Sequence, residues 1–93
     1  MEELAETRIF KELEGVSRTG RFSVKTASAI TNQDWRGWMQ ALPADLRSDF
    51  ESFFLFAEGF VEEVREGFVD GDNDEDLAGK AVSLMNRLRP TES

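Results

Sequence analysis

The chain has 93 residues, 40% of them apolar and 32% charged, a balance typical of one folded domain rather than of a disordered segment. We therefore expect a single domain over residues 1–93. The absence of Cys and His excludes disulfides, thiolate nucleophiles and imidazole bases. The chain begins with no secretion signal and has no apolar run near the roughly 20 residues that span a bilayer, so we expect a cytoplasmic protein, in the host cytoplasm if it is viral.

The net charge of −8 is concentrated in one part of the chain. Residues 50–76 contain ten acidic residues and one arginine, a net charge of −9, so the rest of the chain sums to +1. Charge of this kind governs association rather than fold. It disfavours nucleic acids and anionic membranes as partners, and it favours a basic protein surface.

The N-terminal segment shows apolar residues at steps of three to four, which predicts a helix from Glu2 to Glu14. Gly15 follows at the position where a left-handed residue commonly ends a helix, and Val16 can fold back on Phe10. We therefore place the end of the first helix at Gly15.

The next segment, Arg21 to Thr26, alternates apolar and polar residues, which predicts a short strand. A single strand needs a neighbour for its backbone hydrogen bonds. The alternative is therefore an N-terminal β-hairpin that turns at Arg18 and Thr19 and precedes three helices. We retain both interpretations of residues 7–16, helix or strand.

Three further helices follow. The first begins at Thr31 as N-cap and ends before Pro43, with four apolar residues on one stripe: Trp35, Trp38, Met39 and Leu42. The second runs from Pro43 to Phe68, with a bend or its end at Gly59 or Gly67. The last follows an acidic segment, residues 70–76, and runs from Leu77 until Pro90 ends it. The sequence thus predicts a mainly α domain of about four helices with one extended segment near residues 21–26.

The long helix carries a row of carboxylates opposite its apolar stripe. We define the acidic face as the residues that share this side: Glu51, Leu55, Glu58, Glu62 and Glu66. Like charges at i, i+4 cost a helix about 0.2–0.5 kcal/mol per pair, so a row of one sign carries a small stability cost. Two interpretations remain: an ordinary solvated face of an acidic protein, or a docking surface for Lys and Arg. Leu55 and its neighbour Phe56 are either an apolar contact within that surface or part of the core.

The charge spacing permits imitation of nucleic acid but does not require it. The acidic face together with Glu63 has five carboxylates over about 22 Å of helix, or one charge per 4 to 5 Å, roughly. Duplex DNA has one charge per about 1.7 Å, and a single strand one per about 3.4 Å. The acidic segment adds Asp70, Asp72 and Asp74 as secondary charge donors.

Other chemistry finds little support in the sequence. Asp70, Asp72 and Asp74 match ligand positions 1, 3 and 5 of an EF-hand loop, but Glu75 stands at position 6 where Gly is required and Ala81 at position 12 where a bidentate Glu is required. We therefore expect no metal and no cofactor. A basic cluster, Arg18, Arg21 and Lys25, is small beside the net charge and is expected to pair with acidic groups of the protein itself or of a partner.

These observations predict a non-catalytic acidic protein that binds a basic surface of another protein, with the acidic face, Asp70, Asp72 and Asp74 as its binding residues. By analogy of size and charge alone, it compares with phage inhibitors of host defence nucleases, of the anti-CRISPR or anti-restriction kind, which act as DNA mimics. The alternatives are an assembly or chaperone-like subunit that packs through apolar helix faces, and a toxin-neutralising immunity protein or antitoxin. The oligomeric state stays open, with a homodimer among the options.

Overall fold

Five helices make up the computed structural model, which describes residues 7–88: α1 Arg8–Thr19, α2 Val24–Thr31, α3 Trp35–Met39, α4 Ala44–Arg65 and α5 Glu75–Leu88. Within these residues there is no strand, so the prediction of a mainly α domain is confirmed and the β-hairpin alternative is wrong. Residues 2–6 of the first predicted helix, and Pro90 as the end of the last, lie outside the described residues.

The short strand predicted from Arg21 to Thr26 is wrong, because α2 begins at Val24; the extended segment is limited to the residues before it, where Ser23 has an extended backbone. Ser23 caps this helix: its side chain accepts a hydrogen bond from the backbone N–H of Thr26. The two-residue alternation of this stretch is therefore the start of a helix in which Ala27 and Ile30 are buried. Between α1 and α2, residues 20–23 form a linker outside the helices.

The first helix extends past its predicted end. Gly15 lies inside α1, and the helix ends at Gly20, whose φ of 73° is left-handed and whose N–H donates to the carbonyl of Val16. The closure predicted at Gly15 therefore forms five residues later. At the other end, Thr7 caps α1 by accepting from the N–H of Phe10, and it also accepts from the indole N–H of Trp38.

The third helix begins later and ends earlier than predicted. Thr31 is the last residue of α2, and Asp34 is the cap of α3, accepting from the N–H of Gly37. Leu42 follows in a turn but is buried, so all four apolar residues of the predicted stripe belong to the core. This core is largely aromatic, with Trp35 stacked on Phe54 at 5.0 Å and Phe22 edge-on to Phe53 at 5.5 Å.

The long helix α4 organises the domain. It packs against α2, α3 and α5, while α1 packs against α2 and α5. Its inner side is fully apolar, with six buried residues: Leu46, Phe50, Phe53, Phe54, Ala57 and Phe60. Gly59 lies within α4 and Gly67 ends it, so Phe68 is not part of the helix. Because the inner side is used for packing, the outer side of α4 is left to solvent.

Candidate protein-binding site

The acidic face forms as the sequence predicts. A helix turns by about 100° per residue, so the five residues assigned to the face lie on the side opposite the buried stripe. All five are exposed, and the side chain of Leu55 is 46% exposed in their midst. Phe56, at the edge of the face, is 58% exposed. The alternative in which another element buries Leu55 and Phe56 is therefore wrong.

The carboxylates of the acidic face are not equivalent. Glu62 forms an ion pair with Arg65, at 2.9 Å between Oε2 and Nη1, with both side chains more than half exposed. Glu58 accepts a hydrogen bond at 3.1 Å from the indole N–H of Trp35. The other two ion pairs within residues 7–88 join Arg8 to Glu12 and Arg87 to Asp49, so neither involves the acidic face. Most of its charge is thus left without an internal cation in this part of the chain.

Two arginines border the acidic face on the side of α3, and both have internal partners. Arg47 donates to the backbone carbonyls of Met39 and Leu42, at 3.3 and 3.1 Å. Arg36 lies over the ring of Trp35, 4.3 Å from its centroid. The α3 side of the acidic face is therefore the more cationic side, and both of its arginines contact groups of the protein itself.

The end of α4 is shaped by Gly67, whose φ of 83° reverses the chain. The N–H of Gly67 donates to the carbonyl of Val64, and the N–H of Phe68 donates to that of Glu63, which together make a Schellman closure. Such a closure commonly packs the residue after the glycine against the helix. Here Phe68 is 74% exposed and Val69 is 42% exposed, so this closure leaves the last residue of the predicted helix outside the core.

The acidic segment is fixed by the linker between α1 and α2. Phe22 donates its N–H to the side-chain oxygen of Asn73 at 2.7 Å, and its carbonyl accepts from the N–H of Asp74. The N–H of Val24 donates to the carbonyl of Gly71 at 2.9 Å. The backbone partner that the sequence required for residues 21–26 is therefore this acidic segment rather than a strand.

Asp70, Asp72 and Asp74, the three aspartates predicted to add negative charge to the binding surface, have different roles. Asp74 is half-buried and accepts from the N–H of Leu77, so it caps α5. Asp70 and Asp72 are exposed, and Asp70 accepts from the N–H of Asp72 in a local turn. The basic cluster also remains exposed at Arg18, Arg21 and Lys25, and none of the ion pairs within residues 7–88 includes its members.

A groove between α4 and α5 is the feature that sequence reasoning missed. It has a volume of about 350 Å³, and it is lined by Phe56, Gly59, Phe60, Glu63, Asp74, Asp76, Leu77 and Lys80. The ammonium of Lys80 lies 5.7 Å from the centroid of the Phe56 ring. A second, adjacent pocket shares Phe60, Asp74 and Asp76 with this groove and is also lined by Val69 and Asp70. The lining of the groove depends on how α5 packs on α4, and no pattern along one helix signals that.

The described residues contain no group of three or more acidic side chains arranged to hold a metal ion. Within the same range, no helix combines the length and the apolarity needed to cross a membrane. Comparison with protein-family models, with curated proteins and with solved structures finds no match to this chain.

Proposed function

We propose that this chain is a non-catalytic binding protein whose acidic face receives a basic surface of another protein. The observation that carries the proposal is the combination of exposed carboxylates with an exposed leucine on one side of α4. Glu51, Glu62 and Glu66 are exposed on the same side of α4 as Leu55, and only Glu62 has an internal ion pair within residues 7–88. An apolar centre within a charged rim is typical of protein interfaces.

The electrostatics support a basic partner. Residues 50–76 carry −9, and such a field accelerates the approach of a cationic surface and repels anionic ones. A nucleic-acid-binding protein, such as a host defence nuclease inhibited by a phage protein, presents a surface of this kind. The charge spacing on α4 is closer to that of a single strand than to that of a duplex, so mimicry of DNA is a narrower form of the same proposal.

The experiment compares two variants that remove the same charge. The first replaces Glu51, Glu62 and Glu66 by Gln, and the control replaces Glu12 and Glu14 by Gln and Asp45 by Asn. Each set breaks one ion pair, Glu62 with Arg65 or Glu12 with Arg8, so the sets are matched in the number of ion pairs lost, although Glu12 is the less exposed of the two glutamates. Glu58 and Asp74 stay unchanged because both have hydrogen bonds within the fold.

The native chain, the first variant and the control are immobilised and used to capture partners from a lysate of the organism that carries the gene. Captured proteins are then purified and titrated by calorimetry. We expect a basic partner that binds the native chain and the control but binds the first variant at least about tenfold more weakly, with a smaller salt dependence. An equal loss of affinity in both variants would mean that net charge alone, and not the acidic face, determines binding. Undiminished binding by the first variant would refute the proposal.

A second candidate is an assembly subunit that packs through apolar surfaces. The observation that favours it is the exposure of Phe56, Phe68 and Val69 beside the acidic face. Apolar association is nearly independent of ionic strength, whereas the first proposal requires affinity to fall as salt rises. The calorimetric titration at two salt concentrations therefore separates the two functions.

A further inference from the structure

We propose that the groove between α4 and α5 holds an arginine side chain of the partner, stacked on Phe56, and that Lys80 occupies this place in the free protein. This inference rests on the proposed function and specifies where on the surface the partner's cation binds. It concerns the α5 side of α4, which neither the sequence nor the acidic face alone identifies.

The groove combines apolar and acidic side chains. Phe56, Phe60 and Leu77 supply an apolar lining, while Glu63, Asp74 and Asp76 supply carboxylates. Lys80 is the one cation in this lining, so the groove has an excess of negative charge. An aromatic ring flanked by carboxylates suits a guanidinium, which can stack on the ring and also donate hydrogen bonds in its plane.

Lys80 lies at the edge of the Phe56 ring's reach for a cation. Its ammonium lies within the roughly 6 Å over which a cation is attracted to an aromatic ring. The contact between Lys80 and Phe56 is weak and exchangeable for three reasons. Phenylalanine is a weaker partner for a cation than tryptophan, both residues are exposed, and an ammonium is strongly hydrated. A guanidinium is more weakly hydrated and stacks better, so a partner's arginine can displace Lys80.

The two sides of α4 differ in charge. On the α3 side, Arg36 covers Trp35 and Arg47 is bound to backbone carbonyls, so that side repels a cation. On the α5 side, carboxylates predominate both in the groove and in the adjacent pocket that includes Asp70. A basic surface that approaches α4 is therefore directed to the α5 side by charge complementarity.

Gly59 provides a sharp test because it lines the groove and is not required by the fold. A Cβ at Gly59 would meet no atom within 4 Å, so Gly59→Ala is expected to stabilise α4. The same Cβ would reduce the room for a guanidinium beside Phe56. Gly79→Ala is the matched control, since Gly79 is also exposed within a helix with open space around it and does not line the groove.

The experiment titrates the full chain, labelled with ¹⁵N, with an acetylated peptide that alternates arginine and leucine, and with the same peptide carrying citrulline in place of arginine. At low salt, we expect saturable shifts centred on Phe56, Gly59, Glu63 and Lys80 with the arginine peptide and none with the citrulline peptide. Phe56→Ala should weaken binding about two- to fivefold. Gly59→Ala should raise the unfolding midpoint and weaken binding about threefold, while Gly79→Ala raises the midpoint alone.

Lys80→Gln supplies an independent readout, with Lys11→Gln on α1 as the variant that removes the same charge elsewhere. If Lys80 competes for the groove, Lys80→Gln should tighten binding about two- to fivefold more than Lys11→Gln does. Equal effects of the two variants would overturn the role of Lys80. Shifts confined to Glu51, Glu62 and Glu66 would overturn the assignment of the arginine site to the groove while leaving the proposed function standing. A lack of saturable binding by the arginine peptide would also overturn that assignment. The proposed function itself is decided by the captured partner and the matched charge variants.

Discussion

The indole N–H of Trp35 donates to a carboxylate oxygen of Glu58 at 3.1 Å, which joins the buried side of α3 to the exposed side of α4. Trp35 is almost completely buried, and its ring stacks on Phe54. One of the four glutamates of the acidic face is thus part of the fold. A charge change at Glu58 therefore tests stability and binding together and cannot separate them.

Glu58→Ala should destabilise the domain by about 1 kcal/mol, because the partly buried indole N–H loses its charged acceptor. Glu66→Ala removes the same charge from the same face and should change stability by less than about 0.5 kcal/mol, as most exposed substitutions do. Urea unfolding followed by circular dichroism measures both. Equal effects of the two substitutions would show that the hydrogen bond to Trp35 contributes nothing.

The core could be predicted from the sequence because its signal is a periodicity. Trp35, Trp38 and Met39 lie at helical spacing and are all buried, even though the helix that holds them is only five residues long. Spacing identifies the inner side of a helix irrespective of where the helix ends. The ends depend on single hydrogen bonds, and these are where the predictions failed.

The two glycines of α1 should respond to alanine in opposite directions. Gly20 has a φ of 73°, which strains any residue with a Cβ, so Gly20→Ala should cost about 1 kcal/mol. Gly15 lies inside the helix, and a Cβ there would meet no atom within 4 Å, so Gly15→Ala should stabilise by about 0.5 to 1 kcal/mol. Thermal unfolding of both variants decides whether α1 ends at Gly20; the reverse order of stabilities would restore the end predicted at Gly15.

The segment from Arg21 to Thr26 shows why alternation misled. Phe22 lies in the linker and its side chain is buried in the core, whereas Val24 is the first residue of α2 and its side chain packs against the core. Two different local structures therefore place both side chains at the core. Ser23, between them, is the N-cap of α2, and a serine at this position was the feature of the sequence that could have predicted the start of this helix. The strand partner expected for this stretch is absent because residues 7–88 contain no strand; the backbone of Phe22 and Val24 instead contacts the distant Asn73 and Gly71, which no local pattern reveals.

Gly71→Ala should destabilise the domain by about 1 to 3 kcal/mol, because a Cβ there would lie 2.7 Å from a methyl of Val24. Val24 is β-branched and has little freedom to move aside. A Val24→Ala change removes that methyl, so the double variant should lose less stability than the sum of the two single variants. A double-mutant cycle by urea unfolding measures this coupling, and strict additivity would exclude the close contact.

The candidate site was predictable only where it lies on one helix. The acidic face follows from the helical projection of α4, and Leu55 within it was identified on the same basis. The groove required α5 to bring Asp76, Leu77 and Lys80 beside Phe56, and the exposure of Phe68 required the left-handed turn at Gly67. Glycine at the end of a long helical pattern was the signal available for that turn.

Asn73 links the acidic segment to the core, since its side-chain oxygen accepts from the N–H of the fully buried Phe22. Asn73→Ala should cost about 1 to 3 kcal/mol because that backbone donor loses its acceptor, whereas Asn73→Asp keeps an acceptor there and should cost less. Amide hydrogen exchange should show faster exchange at Phe22 and Asp74 in Asn73→Ala alone. Unchanged exchange at Phe22 would mean that another group satisfies its N–H, and the acidic segment would then be held by Gly71 and Asp74 without Asn73.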